Sequence, residues 1–514
     1  MENKLYISAV SDYVVEISGK SSFKQNELYH LANNKDAILM VISASEDKAF
    51  CLIKLNQEDY KIGSEVVKAT NSNQTIETTN DYFGKIIDIY GKILHQQEFI
   101  NLNLINFLPQ KSHIFNVNNH LMTYLPLEEQ LNTGYSLIDL LIPIGKGQRE
   151  LIIGDRKTGK SFIALNTIIN QKDKNVKCIY VAIGQNQNEI ANVYALLKEH
   201  DAHKYTIVIN APSEKPYEQY LAPYIAMAHA ENLSYENDVL IVFDDLTKHA
   251  NIYREIALLI NKPVGKEAFP GDMFYAHARL LERSGKFKNR KSITALPILQ
   301  TVDNDITSLI ASNIISITDG QIVTNSELFA LNKYPAIDVN LSVSRIGSSV
   351  QNKLMNNTAK TIGSLYKAFK KQAKLVAVKY DLNDDINSLM LSGEQIEKMF
   401  NQKGITSYNE KDIFLVSKLI EWNLLNNLNN DDIHLAIRFL IAYEKENAEC
   451  AKVINDLINN QVKDENLVKE YFVYLLAKFS LKYKLNWKIV AKKVFAIVDE
   501  KTLDKVYKQL FGDK

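Results

Sequence analysis

The run Gly154-Asp155-Arg156-Lys157-Thr158-Gly159-Lys160-Ser161 decides the architecture. It has the spacing G-x-x-x-x-G-K-[ST], and its flanks are the ones that spacing needs in order to work. Ahead of it, Arg149-Glu150-Leu151-Ile152-Ile153 reads as a short apolar strand. Behind it, Ser161 to Asn170 carries helical periodicity. A strand entering a glycine-rich loop that opens a helix aims backbone N–H groups and the helix dipole at one point, where phosphate oxygens bind. Lys160 is then placed to reach the β- and γ-phosphates, and the Ser161 hydroxyl to ligate Mg²⁺. The spacing alone produces false positives, and the strand–loop–helix context removes most of them. A carboxylate for the metal is expected at the end of a neighbouring apolar strand, and Val239-Leu240-Ile241-Val242-Phe243-Asp244-Asp245 has that form. Strand-terminal acids are also common helix caps. Asp244 therefore takes its role, holding Mg²⁺ directly or through water, only from its pairing with the loop.

Working outward, strands alternate with longer helical segments from about Ile86 to Val350. Cys178 to Ile183, Tyr205 to Ile209, Asp238 to Phe243 and Ile314 to Ile317 read as further short strands. This alternation predicts a largely parallel sheet covered on both faces. Upstream, Asp12 to Ser18 alternates apolar and polar residues, followed by Ala37 to Ile42, Lys48 to Leu55 and Gly63 to Thr70, with Gly19, Asn33-Asn34 and Asp47 as breaks. Short strands at that spacing predict a small closed β-barrel, and Asn71 to Asn80 reads as a polar linker after it. Downstream of Gln351 the strand signals stop, and Ile413, Val416, Leu419, Ile420 and Leu424 recur at helical spacing. The expectation is an α/β multidomain chain: a β-barrel over 1–70, a P-loop nucleotide-binding domain over 71–351 and an α-helical domain over 352–514.

Composition narrows the function. The chain has 514 residues, with 60 Lys plus Arg against 60 Asp plus Glu, so no whole-chain field draws in nucleic acid or an anionic membrane. Cys51, Cys178 and Cys450 are far apart and lack a metal-ligand spacing, which reads as structural thiols in a reducing compartment. No run approaches the ~20 apolar residues of a spanning helix, so any membrane link is expected to go through partners. Asn and Lys are abundant while Gly and Pro are scarce, a bias typical of AT-rich bacterial genomes.

Wider motifs then carry a resemblance. Asn132-Thr133-Gly134-Tyr135, the run Leu141 to Glu150 and the Gly154 loop together resemble the α subunit of the F-type rotary ATPases. So do Tyr180-Val181-Ala182-Ile183-Gly184-Gln185, Glu267-Ala268-Phe269-Pro270-Gly271-Asp272, Ile317 to Ile322 and Leu341-Ser342-Val343-Ser344-Arg345. The likeness is nearly continuous from about 130 to 355. It implies the same three-part architecture, with a RecA-like central domain, ATP and Mg²⁺ as ligands, and an alternating hexamer with catalytic β-type subunits around a γ-like shaft. It also implies a cytoplasmic place at the inner face of the membrane through that complex. In the β subunits a Glu polarises the attacking water, and here the matching residue is Gln185. An amide cannot take up a proton as a carboxylate does, so binding with little turnover is expected. The nearest spare carboxylate, Glu189, reads as a solvated helix residue. Arg345 matches the arginine finger, which acts in the neighbour's site.

The departures are as informative. The family's adenine pocket uses an Arg-Pro pair and two glutamines. Here Tyr334 precedes Pro335, Gln402 matches one glutamine and Gly404 replaces the other. An aromatic ring can pack on a base, so altered base selectivity is expected. Against the family's pattern, the segment ahead of the barrel is expected to be essentially missing, the stretch between Ser284 and Ile293 compressed, and the helical domain longer than in a typical α subunit. Glu465 to Lys514 reads as helical, with Val468, Tyr471, Phe472, Tyr474 and Leu475 as a stripe that serves as core or docks an extra partner. These changes suggest a diverged ring of the kind found in mollicutes, coupled to something other than proton-driven synthesis, such as surface or motility machinery. The alternative is a self-sufficient homohexameric export-type ATPase, which Gln185 disfavours. An RNA translocase would need exposed aromatics and a basic stripe on the barrel, where only Tyr13 and Phe50 stand out.

Overall fold

A computed structural model describes residues 4–54, 59–69, 74–95, 111–116, 123–376, 384–426, 428–459, 461–462, 464–496 and 498–512. It separates into two compact units. The first holds residues up to 127 together with 145–326 and 340–345, and the second holds 128–144, 327–339 and 346–514. The two units are interleaved along the chain.

The first unit begins with a closed barrel of six strands: β1 (Leu5–Ser11), β2 (Val14–Ser18), β3 (Leu28–Leu31), β4 (Asn34–Ala44), β5 (Lys48–Ile53) and β6 (Glu65–Lys68). The order is β1-β2-β5-β4-β3-β6, and β1 closes on β6 through Leu5 opposite Val66. Closure leaves no free edge, and the inward residues Ile7, Val15, Ile17, Leu39, Val41 and Cys51 are almost wholly buried. β1 and β3 carry no sequence signal as clean as that of β2. Tyr13 is buried, so it offers no stacking platform for a base. Leu55 and Thr70, at the ends of two expected strands, lie outside the described residues, as do the first three linker positions. The remainder of the linker is not featureless, because Thr75–Glu77 pairs antiparallel with Lys111–His113.

A nine-stranded sheet follows, built from β7 (Ile86–Ile87), β8 (Ile93–His95), β9 (Glu150–Asp155), β10 (Val176–Ile183), β11 (Thr206–Ala211), β12 (Asp238–Asp244), β13 (Ile293–Thr301), β14 (Gly320–Val323) and β15 (Val343–Ser344). Its order is β15-β14-β9-β13-β12-β10-β11-β7-β8. All neighbours are parallel except the antiparallel edge pairs β14–β15 and β7–β8. The helices of this unit are α1 (Lys160–Ile169), α2 (Gln187–Glu199), α3 (Pro216–Leu233), α4 (Leu246–Leu259), α5 (Asp272–Leu281) and α6 (Leu309–Ile317). Ile314 to Ile317 is therefore the last turn of α6, not a strand. Ile310, Ala311 and Ile314 are its buried residues, a helical spacing that a four-residue apolar window cannot distinguish from a strand.

The second unit is helical, with α7 (Lys353–Val376), α8 (Asp384–Phe400), α9 (Glu410–Glu421), α10 (Asn430–Glu446), α11 (Ala448–Ile458), α12 (Glu465–Tyr483) and α13 (Glu500–Phe511). α9 opens with a capping box in which Asn409 and Asp412 exchange side-chain and backbone bonds. Ile413, Val416, Leu419 and Ile420 of α9 are buried, as the periodicity predicts. The long terminal helix is broken: α12 stops at Lys484, whose φ is 55°, and helix resumes only at Glu500. Val468, Tyr471, Phe472 and Leu475 of the stripe are core. No described helix is long and apolar enough to cross a membrane.

Candidate nucleotide-binding site

β9 delivers the Gly154 loop at the carboxyl edge of the sheet, and α1 leaves it. Gly159 precedes α1 with φ 90°, no side chain caps the helix, and its first turn carries no acid. The first N–H groups of α1 thus lack the usual internal acceptor, which suits an anion. A Cβ at Gly159 would meet nothing within 4 Å, so one side of the loop is open. Gly154 is the opposite case: with φ 155°, a Cβ there would come within 2.1 Å of Thr324 Oγ1 and 2.3 Å of the Thr324 carbonyl oxygen. Thr324 follows β14 and also meets Thr158 hydroxyl to hydroxyl at 2.7 Å. Asp155 is turned into the sheet, where its carboxylate accepts from Thr301 Oγ1 at 2.6 Å and from the Asn304 N–H at 2.9 Å. The Lys160 ammonium donates to the Asp155 carbonyl oxygen. Burial lowers its pKa, and the Asp245, Asp244 and Asp155 carboxylates facing it offset part of that. Arg156 and Lys157 are exposed on the loop, and Ser161 opens α1 behind Lys160.

Asp244 ends β12, which is not the strand beside β9. β13 lies between them, with Ile152 opposite Ile298 and Phe243 opposite Pro297. Tyr180, fully buried on β10, donates its hydroxyl to Asp244 Oδ2 at 2.5 Å. Burial, then the Asp244 charge, holds that phenol well above its ordinary value. Asp245 caps α4 by accepting from the Lys248 N–H at 2.9 Å, while Lys248 Nζ donates to the Gly184 carbonyl at 2.8 Å. Gln185 is 7% exposed, and its Nε2 donates to the Asp244 carbonyl at 3.2 Å and to the Tyr180 hydroxyl at 3.4 Å. Its Oε1 is buried with no hydrogen-bond partner. A buried acceptor beside the Asp244 carboxylate fits a site completed by a hydrated cation. Glu189 is the third helical residue of a capping box, accepting from the Asn186 N–H at 3.3 Å.

Arg345 follows edge strand β15. Its backbone N–H donates to the Asp319 carbonyl at 2.8 Å. Its guanidinium donates to the Thr318 and Ile315 carbonyls at 3.1 and 3.2 Å, at the C-terminal end of α6. Asp319 is clamped in turn by Arg149, whose Nε and Nη2 donate at 3.0 and 2.7 Å.

In the second unit, the Gln402 N–H donates to the Tyr334 carbonyl at 2.5 Å, which brings Tyr334, Pro335 and Gln402 together. The Gln402 side chain is already committed: Oε1 accepts from the Ser136 N–H and hydroxyl at 2.7 Å each, and Nε2 donates to the Gly134 carbonyl at 3.1 Å. The half-buried Tyr334 ring packs edge-on against Phe329. Sequence reasoning missed Asp139, the residue that shapes the Asn132-Thr133-Gly134 turn. Its carboxylate collects the Thr133 N–H and hydroxyl, the Gly134 N–H and the Asn132 amide within 2.8–3.1 Å. The run Ser136-Leu137-Ile138-Asp139 gave no signal beyond its helical look. The buried Glu231–Arg283 ion pair, at 2.8 Å, was missed for the same reason. All three cysteines are buried and free, and burial pushes their thiols up.

Set beside known proteins, residues 134–344 match the nucleotide-binding domain of the ATP synthase alpha/beta family. The chain is 41% identical to the ATP synthase subunit alpha 2 of Mycoplasmopsis pulmonis, over 93% of this chain and 94% of that protein. It belongs to the F-type ATP synthase α-subunit family. This α-type chain is also 37% identical to the ATP synthase subunit alpha of Mycoplasma capricolum, over 96% of its own length and 93% of that protein. With the ATP synthase subunit alpha 1 of Listeria welshimeri it shares 40% identity over 71% of its length and 75% of the relative's. The likeness to mycoplasma proteins therefore runs through barrel, sheet and helical region alike, while the family model is confined to the stretch that carries the loop.

Proposed function

We propose that this chain is the non-catalytic, Mg-ATP-binding α-type subunit of a rotary hexamer and lends Arg345 to a neighbouring β-type catalytic site. Gly154 to Ser161 hold the polyphosphate, with Lys160 on its outer oxygens, and Ser161 and Asp244 hold the cation. Bound Mg²⁺ supplies the charge that polyphosphate oxygens need neutralised. On the base side the reading rests on Tyr334 and Pro335, since the Gln402 amide is committed to the Gly134–Ser136 turn. The hexamer surrounds a γ-like shaft and meets a membrane only through its partners, and the C-terminal extension carries a further partner.

The observation that carries the reading is Gln185. Where turnover needs a general base, this chain has an amide that donates to the Asp244 carbonyl, a bond an ionised carboxylate cannot make. Glu189, the nearest spare acid, is occupied in its capping box. The test is Mg-ATP binding and steady-state hydrolysis measured on one sample of the chain alone. Binding without turnover is expected, and Lys160→Ala should weaken binding by about 10–100-fold, the worth of one charge-assisted hydrogen bond. Sustained turnover abolished by Lys160→Ala would overturn the assignment and favour a self-sufficient homohexamer.

A further inference from the structure

The break between α12 and α13 makes a surface that the nucleotide chemistry does not use. After Lys484 the chain folds back along α12. Trp487 is buried, donates its backbone N–H to the Ser480 hydroxyl at 3.0 Å, and packs on Phe479. Phe495 closes the return against Tyr471 and Tyr474. Between these anchors lies a groove of about 760 Å³, walled by Tyr474, Ala477 and Leu481 of α12 and by Ile489, Val490 and Val494 of the returning segment. Leu481, Val490 and Val494 are 80%, 83% and 82% exposed. An ion pair between Lys478 and Glu500, at 3.5 Å, stands at one end.

Three open aliphatic side chains around one concavity would cost solubility unless something covers them, and the rim says what. From Lys484 to Val498 the chain carries four lysines and no acidic residue. Lys484, Lys488, Lys492 and Lys493 are all exposed, and Lys493 lines the groove itself together with Lys478, Lys482 and one acid, Glu500. Lys488 and Lys492 lie to either side of Val490, and Lys493 adjoins Val494. A concave apolar floor with a basic rim suits an amphipathic helix whose apolar ridge enters the groove and whose acidic flanks meet the lysines.

We propose that the groove between α12 and the 488–496 return is a docking site for an acidic amphipathic helix of a partner protein. This rests on reading the C-terminal extension as partner-bearing and is independent of the nucleotide assignment. The probe is a fluorescein-labelled helical peptide of about 18 residues, or five turns, with leucines on one stripe and glutamates elsewhere, titrated with the full chain. Fluorescence anisotropy should show saturable binding in about the micromolar range that weakens as salt is raised to about 0.5 M. Val490→Asp with Val494→Asp should weaken it by about tenfold or more. Lys488→Glu with Lys492→Glu and Lys493→Glu should abolish it and confer binding of the same peptide with lysine in place of glutamate. Far-UV circular dichroism and the urea-unfolding midpoint should be unchanged in both variants, which shows that they fold. The proposal is overturned if the peptide fails to bind or binds both variants equally. It is also overturned if the same residues instead carry the chain onto anionic lipid vesicles or into a dimer of itself.

Discussion

Two glycines of one loop show how differently the same residue type can be required. Gly154 sits where a methyl group would be driven into the Thr324 carbonyl. Gly159 sits over open space and is needed only for its φ of 90°. Gly159→Ala should therefore cost about 1 kcal/mol of backbone strain and leave measurable Mg-ATP binding. Gly154→Ala must instead push the loop off β14. It should lose binding altogether and destabilise the first unit by about 1–3 kcal/mol, read by nucleotide titration and urea unfolding. Retained binding in Gly154→Ala would show that the loop can shift without consequence. The spacing of the two glycines is legible in the sequence. The contact that makes Gly154 indispensable is not, because Thr324 lies 170 positions away along the chain.

At the level of elements, the central strand β13 is not among the strands read from the sequence. β13 carries Pro297, a residue that argues against a central strand, yet it lies between β9 and β12. Parallel strands take their neighbours from distant sequence, and burial on both faces erases the alternation that marks a strand. α3 is nearly all buried, so polar residues there must find partners inside. His229 does so through Nδ1, 2.8 Å from the Thr78 hydroxyl. Burial pulls its pKa down to about 4. The unfolded chain takes a proton near the ordinary value while the folded chain refuses it until about 4, so stability from this group is present above about pH 6.5 and falls as the pH drops toward 4. His249 and His277 are lowered by burial in the same direction. His229→Gln should flatten the fall by about 1.4 kcal/mol per pH unit within that window, read as urea unfolding of the first unit between about pH 6.5 and 4.5. An unchanged slope would mean that His229 ionises without unfolding the helix.

For the whole molecule, the exposed Arg345 is the informative residue. Its guanidinium rests on two neutral carbonyls at the end of α6, weaker acceptors than the phosphate oxygens it would exchange them for. In a ring reconstituted with a β-type partner, Arg345→Ala should leave Mg-ATP binding by this chain unchanged and lower the ring's turnover by about 10³–10⁵-fold. Unimpaired turnover would remove the finger from the mechanism. What the sequence by itself determined were features set by neighbours in the chain: the loop with its strand and helix, the barrel's alternation, the helical period after Gln351, and the amide at Gln185. Each needs only a handful of consecutive residues, because local geometry dictates it. Tertiary structure alone decided which strand separates Asp244 from the loop and that Asp139 shapes the Gly134 turn. It also decided that the Gln402 amide is already committed and that the last helix breaks to leave a basic-rimmed groove. Those depend on packing between segments far apart in the chain, where burial and hydrogen-bond satisfaction, not propensity, choose the partner.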